Sequence, residues 1–391
     1  MSVSQKIKTA MERGSWIRRM FEEGGELKAR LGADKVFDFT LGNPDLEPPP
    51  RFKEALLEAA RDPSPGLHGY MTNAGLLNTR QALAGHLHNM YHQDFGPGDL
   101  VLTCGAAGAL NVIFKAFLDP GDEVIVLAPY FPEYLFYADN HGGVALVVET
   151  DPSFQLDLNA LERALSPRTK AVIINSPNNP TGQVYPASTL MALGQLLKKH
   201  SDQVGRVVYL VADEPYSRIL YDGIELPNIF GFYPHTLLAT SFSKDLSIPG
   251  ERLGLVAVSP QATHREELLA GFILANRILG FINAPALMQR AVARVAGLCV
   301  DTTPYARRRD LLGQILSAGG YRFLKPQGAF YFFPEAPRGD DLAFVNRLKQ
   351  ENILAVPGRG FGRAGYFRLA FCVPEAVIER AAPGFIRAAQ G

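Results

Sequence analysis

The sequence has little that would give it a one-sided surface or a membrane anchor. Lysine plus arginine number 39 and aspartate plus glutamate 39, so the formal net charge is zero. Nucleic acid and anionic membranes both select a basic excess, so neither is an expected partner. No apolar run reaches the roughly 18 residues of a membrane span. Near the N-terminus Lys6, Lys8, Glu12, Arg13, Arg18 and Arg19 interrupt any stretch that would serve as a secretion signal. Cysteine is scarce: Cys104, Cys299 and Cys372 lie far apart in apolar surroundings and cannot all pair. They read as reduced, buried residues of a cytoplasmic protein. His88 and His92 read as one solvated helix face, and no metal is expected. There is no internal repeat and no low-complexity segment. What is present is 391 residues with an ordinary hydrophobic fraction of 47%, enough for a large core and two domains.

Residues 1 to 35 read as a charged amphipathic arm anchored by Trp16, Ile17, Met20 and Phe21. It runs into Leu41-Gly42-Asn43-Pro44-Asp45 and Pro48-Pro49-Pro50, a sharply turning backbone that is either a linker or a substrate-facing loop. Helical patterns follow over Arg51–Ala60 and Leu77–Tyr91. From Leu100 the rhythm changes to short apolar runs: Leu100–Cys104, Glu123–Leu127, Val144–Val148, Ala171–Asn175, Val207–Asp213, Leu237–Ser241 and Leu253–Val258. Most are continuous rather than alternating, as a sheet covered on both faces requires. The pattern predicts an α/β fold whose large domain holds a mainly parallel seven-stranded sheet with helices on both faces, and it leaves room for one antiparallel strand near its end. Residues 261–299 read as helical with a break at Gly280–Pro285. They lead to a smaller α+β domain with helices Thr303–Leu316 and Leu342–Lys349 and strands near Tyr321–Leu324, Ala329–Phe333, Leu354 and Phe367–Phe371. The chain then divides into an arm and loop (1–45), a large domain (46–290) and a small domain (291–391).

In such a sheet ligands bind at the carboxyl ends of the strands, and the unusual residues fall there. After the first strand comes Cys104-Gly105-Ala106-Ala107-Gly108, small residues opening a helix, either for close packing or to expose amides to an anion. After the second comes Tyr130-Phe131, core aromatics or the cover of a flat ring. The strand ending at Asn175 delivers a loop held by Pro177, Pro180 and Gly182 that aims an Asn amide. The strand ending at Ala212 delivers Asp213-Glu214-Pro215-Tyr216; an aspartate behind so apolar a run either caps a helix or pairs with a buried cation such as a pyridinium N–H. Last comes Ser241-Phe242-Ser243-Lys244, with Arg252 eight residues on: hydroxyls and a guanidinium for a phosphate, and an amine for a Schiff base. Gly360-Phe361-Gly362-Arg363-Ala364-Gly365 matches a dinucleotide string but precedes an apolar run instead of following a strand, so it reads as a loop delivering Arg368. A buried-looking arginine needs an anion, which is either a substrate carboxylate or an internal partner.

From Leu41 to Phe371 the chain resembles the class I/II aminotransferases, pyridoxal-phosphate enzymes of fold type I. The resemblance implies that Lys244 is the Schiff-base and proton-transfer lysine and Asp213 the pyridinium partner. Asn179 and Tyr216 would meet the phenolic oxygen, and Phe131 and Pro215 the two ring faces. It gives the phosphate to Ser241, Ser243, Arg252 and the amides of the Gly105, Ala106 and Ala107 turn, with Tyr70 reaching in from the second subunit of a homodimer that shares its active sites. Arg368, Asn179 and the Gly42 backbone would hold the α-carboxylate. The chain departs from relatives in having Ala106 and Ala107 where hydroxyl or amide side chains are common, Phe131 where tryptophan is common, and no secure match for the arginine that binds a second carboxylate. Arg277 lies near that place but reads as a solvated helix residue. The implied activity is ping-pong transfer of an amino group from an L-amino acid to a 2-oxo acid, with a neutral or aromatic donor side chain expected. A carbon-sulfur β-lyase of the same fold and a cofactor-sensing regulator are the alternatives.

Overall fold

The computed structural model describes residues 2–13 and 16–390. The arm forms two helices, Gln5–Arg13 and Trp16–Leu31, and leads into a two-residue strand, β1 (Phe37–Asp38). Trp16 and Met20 pack on an apolar cluster formed mostly by the C-terminal third, whereas the side chains of Ile17 and Phe21 lie outside the described residues.

Seven strands then make one sheet: β2 (Leu100–Thr103), β3 (Glu123–Ala128), β4 (Val144–Glu149), β5 (Thr169–Asn175), β6 (Tyr209–Asp213), β7 (Thr236–Ser241) and β8 (Gly254–Val258). Their order is β2-β8-β7-β6-β5-β3-β4, and only β8 runs against its neighbours. The continuous apolar runs have the burial they require: every residue of β2, β3, β6 and β8 is buried. Successive side chains point to opposite faces. Ile125, Val172 and Leu210 therefore meet helices Leu77–Tyr91, Ala187–Val204 and Ala286–Ala293 on one side. Val124, Ile173 and Val211 meet helices Gly105–Phe117 and Arg265–Ile278 on the other. The edge strand β4 departs from the two-sided pattern, because it has one neighbour and leaves Val144 and Val147 exposed.

The C-terminal third adds β9 (Tyr331–Phe332), β10 (Ile353–Leu354), β11 (Val356–Pro357) and β12 (Phe367–Ala370), with helices Thr303–Ala318, Asp341–Gln350 and Glu375–Gln390. The antiparallel order is β11-β12-β9, while β10 pairs in parallel with β1 and ties the arm to this part. Two differences from the sequence reading stand out. Tyr321–Leu324 is not a strand: it is confined between Gly319-Gly320 and Pro326, and its one ladder-like bond runs from Glu335 N–H to the Arg322 carbonyl. The helix Glu375–Gln390 was not anticipated, since Pro383 inside it masks a stripe of Ile378, Ala381, Phe385 and Ala388. No helix among the described residues is long and apolar enough to cross a membrane.

Candidate active site

A cavity of about 290 Å³ opens at the carboxyl ends of the central strands. Its floor comes from successive strand ends: Phe131 beyond β3, Asn175 and Asn179 at and beyond β5, Asp213, Pro215 and Tyr216 at and beyond β6, and Ser241, Ser243 and Lys244 at and beyond β7. Because β8 is antiparallel, its start lies beside the end of β7, with Ser241 opposite Gly254, and this brings Arg252 to the same rim. Thr103 at the end of β2 also faces Gly254, so the helix that starts at Gly105 presents its N-terminus with Ala106 and Ala107 in the lining. Gly105 has φ +73°, and a Cβ there would sit 2.7 Å from Arg252 Nη2, so both backbone and space require glycine.

The electrostatics of the floor follow from burial. One oxygen of Asp213 accepts from the Tyr134 hydroxyl, while Oδ1 is buried without a partner. Asn175 Nδ2 holds the Asp213 carbonyl at 2.8 Å and Asn175 Oδ1 accepts from Asn179 N–H at 2.7 Å, so both site residues are set by one amide. Burial pushes the Asp213 pKa up to about 7, with the Tyr134 bond opposing it. Lys244 Nζ donates to the Gly42 carbonyl at 2.8 Å and has no carboxylate partner among the described residues. Burial pulls its pKa down to about 8. Arg252 uses two donors on the Pro249 and Cys104 carbonyls, at 3.0 and 3.4 Å, and is likewise unpaired among the described residues.

The opposite wall is assembled from the first and last parts of the chain. Arg368 on β12 is 1% exposed. It donates to Asn179 Oδ1 at 3.0 Å and to the Thr40 carbonyl, and its Nε has no partner. Its guanidinium lies 4.6 Å from the Tyr331 ring centre and 4.7 Å from that of Phe361. The internal salt bridge considered for it is absent among the described residues. Tyr331 on β9 reaches across so that its hydroxyl is 2.8 Å from that of Tyr216. A Cβ on Gly42 would be 1.8 Å from the Tyr331 hydroxyl, which explains the glycine better than turn geometry does.

The structure thus brings most of the expected residues to one cavity. Gly105 stands behind the lining, and Tyr70 lies elsewhere on this chain, 90% exposed. Arg277 is exposed on the helix Arg265–Ile278. His92 falls in a left-handed cap after its helix, so it does not share a face with His88. Sequence reasoning missed Tyr134, Tyr137 and Tyr331, which also line the cavity. The one available signal was Tyr331 as the single hydroxyl in the run Phe330-Tyr331-Phe332-Phe333.

Among the described residues Arg368, Arg252 and the helix N-terminus all lack an anion of their own, so the cavity suits small molecules that bring negative charge with them. Fold and cavity together define an α/β enzyme of small anionic metabolites. The chain belongs to the family described as aminotransferase class I and II, whose model matches residues 34–385. It is 35% identical over 375 residues to the aspartate/prephenate aminotransferase of Thermus thermophilus, covering 92% of each chain. An amino transferase crystal structure from Eubacterium rectale superimposes with a TM-score of 0.96 at 39% identity, covering 100% of this chain and 99% of that one. The Thermus thermophilus aspartate aminotransferase with maleate gives 0.88 at 31% identity, covering 99% and 100%. This chain is an aminotransferase, acting between amino acids and 2-oxo acids.

Proposed function

We propose that the chain uses pyridoxal 5'-phosphate, in a cytoplasmic homodimer, to move an amino group from an L-amino acid with a neutral or aromatic side chain to a 2-oxo acid. Asp213 and Lys244 facing one cavity carry this reading. A buried carboxylate with an orphaned oxygen fits a pyridinium N–H, and a buried amine of lowered pKa fits an aldehyde. The remaining donors fit the rest of the group. Ser241 and Ser243 have hydroxyls not engaged elsewhere among the described residues, and with Arg252 and the amides of Ala106 and Ala107 they would hold the phosphate. Asn179 turns its oxygen to Arg368, leaving its N–H₂ with Tyr216 for the phenolic oxygen. Phe131 and Pro215 would flank the ring, and Tyr70, exposed here, would complete the phosphate site of a second copy.

When bound, the cofactor supplies an aldehyde carbon that takes up the amino group and a ring that accepts the electron pair left on Cα. This chain's residues do the rest. Arg368 holds the α-carboxylate through a charge-assisted bond and thereby orients the Cα–H. Asp213 keeps a proton on the ring nitrogen. Lys244 would take the proton from Cα as a general base and return one, as an acid, to the cofactor carbon on the other side of the transferred nitrogen. Its lowered pKa leaves a substantial neutral fraction near neutral pH.

The donor preference is supported by the cations of the lining: Lys244, Arg252 and Arg368 have the tasks above, and no fourth is present among the described residues. The aspartate in the relatives' names argues the other way, and a donor panel decides between them. Cofactor-loaded protein is mixed with single amino acids, the spectral change is followed without an acceptor, and 2-oxoglutarate or pyruvate is then added. Aromatic or neutral donors are expected to react fastest. A strong preference for aspartate or glutamate would overturn the preference and bring Arg277 of the second copy forward. Pyruvate and ammonia released from cysteine without an acceptor would identify β-elimination instead.

A further inference from the structure

Tyr331 touches three parts of the site at once. Its hydroxyl is 2.8 Å from that of Tyr216, and its ring centre is 4.6 Å from the Arg368 guanidinium. The hydroxyl also occupies the space beside Gly42, whose carbonyl holds Lys244 Nζ at 2.8 Å. Burial raises the pKa of both phenols, so each hydroxyl keeps its single proton across the working range. On the cofactor reading above, Tyr216 directs its proton to the phenolic oxygen. The proton between the two hydroxyls must then come from Tyr331.

We propose that Tyr331 is a positioning residue with two separable tasks: its hydroxyl donates to Tyr216 and so strengthens and aims the Tyr216 donor, while its ring supports Arg368 at the carboxylate subsite. Accepting one hydrogen bond polarises a hydroxyl and makes it a better donor in the next. A weaker Tyr216 donor stabilises the ionised phenolic oxygen less. The pH midpoint of the cofactor's visible absorbance therefore rises when the Tyr331 hydroxyl is removed. The ring task is independent, because a phenyl group packs under a guanidinium without needing a hydroxyl.

The test is a spectral pH titration of cofactor-loaded wild type, Tyr331→Phe, Tyr216→Phe and the double variant, with steady-state constants for one donor. Tyr331→Phe is expected to raise the midpoint by on the order of half a pH unit and leave the donor KM within about twofold. The double variant is expected to shift no further than Tyr216→Phe alone, since the Tyr331 hydroxyl acts through Tyr216. Tyr331→Leu is expected to add about a tenfold rise in donor KM. An unmoved midpoint in Tyr331→Phe, or a double variant whose shift is the sum of the singles, would overturn the hydroxyl task; Tyr331→Phe keeps this decidable even where Tyr331→Leu does not fold. Wild type that takes up no pyridoxal phosphate shows no such absorbance at all, which overturns the cofactor reading itself and is recognised before any substitution is compared.

Discussion

The floor and the wall of the cavity are built on different principles. Each floor residue sits at the end of a buried strand, and one side-chain amide, Asn175, braces both Asp213 and Asn179. The wall has a smaller frame, the three short antiparallel strands β11-β12-β9. Arg368 and Tyr331 stand on strands of four and two residues, and Gly42 lies on an extended loop from the other end of the chain. Arg368 and Tyr331 are brought together by the pairing of β12 with β9, and this wall is joined to the floor where Tyr331 bonds to Tyr216, Arg368 to Asn179 and Gly42 to Lys244. The wall is thus positioned by its own short strands and by its bonds to the floor, whereas the floor is framed by the seven-stranded sheet. This difference suits the function proposed above, in which a cofactor would stay while substrates alternate.

Substitutions on the two sides should therefore fail differently. The largest effect is expected for Lys244→Ala on the floor: turnover falls by at least about 10⁴-fold and the cofactor-linked visible absorbance disappears. Retention of both would remove Lys244 from the chemistry. Asp213→Asn is expected to lower kcat by about 10³-fold, yet to stabilise the cofactor-free protein. The sign follows from linkage: the folded pKa is raised from 3.8 to about 7, so ionising the buried carboxylate destabilises the fold as pH rises through that interval. The variant's melting temperature should match wild type at pH 4 and exceed it by roughly 2 °C at pH 8; calorimetry showing no pH-dependent gap would contradict it.

On the wall, Arg368→Gln is expected to leave cofactor absorbance unchanged and raise the donor KM about 100-fold. Loss of the cofactor in this variant would erase the division between floor and wall. The smallest effect needs no substitution. Because Lys244 must be neutral to capture an aldehyde and its pKa is about 8, the rate of cofactor uptake by the empty protein should rise about tenfold per pH unit below 8 and level off above it. A rate still climbing tenfold per unit at pH 10 would mean an ordinary, solvated lysine.

The same contrast governs what could be read from the amino acids. Asp213 is conspicuous as a charge behind a continuous apolar run, where burial demands a partner, and Lys244 as an amine preceded by small hydroxyl residues with Arg252 a short loop away. The seven sheet strands were legible as short, mostly continuous apolar runs, and Leu77–Tyr91 was read with its observed limits. Tyr134, Tyr137 and Tyr331 were not legible, because an aromatic in an apolar run has the same pattern whether it fills a core or bonds through its hydroxyl. The two-residue strands β9 and β10 were read within the apolar stretches Ala329–Phe333 and near Leu354, whereas β11 is too short to register and Pro383 concealed a helix that packing sustains. Which residues of the wall meet the floor is a matter of tertiary contact, and no local pattern encodes it.

The reversed strand β8 has a further consequence, for the order in which a growing chain becomes competent. β2 joins the sheet only through β8. While the polypeptide is being synthesised, Leu100–Thr103 and the helix behind it wait without an edge to pair with until Gly254–Val258 has emerged. Long-range pairing of this kind is slow, and unpaired edges invite association with other chains. The turn at Gly105 and the arginine opposite it thus come together late, and Arg368 arrives later still. On the function proposed above, a ribosome-bound fragment ending before residue 254 would carry Lys244 yet lack the full phosphate site, so cofactor capture would mark a nearly finished molecule.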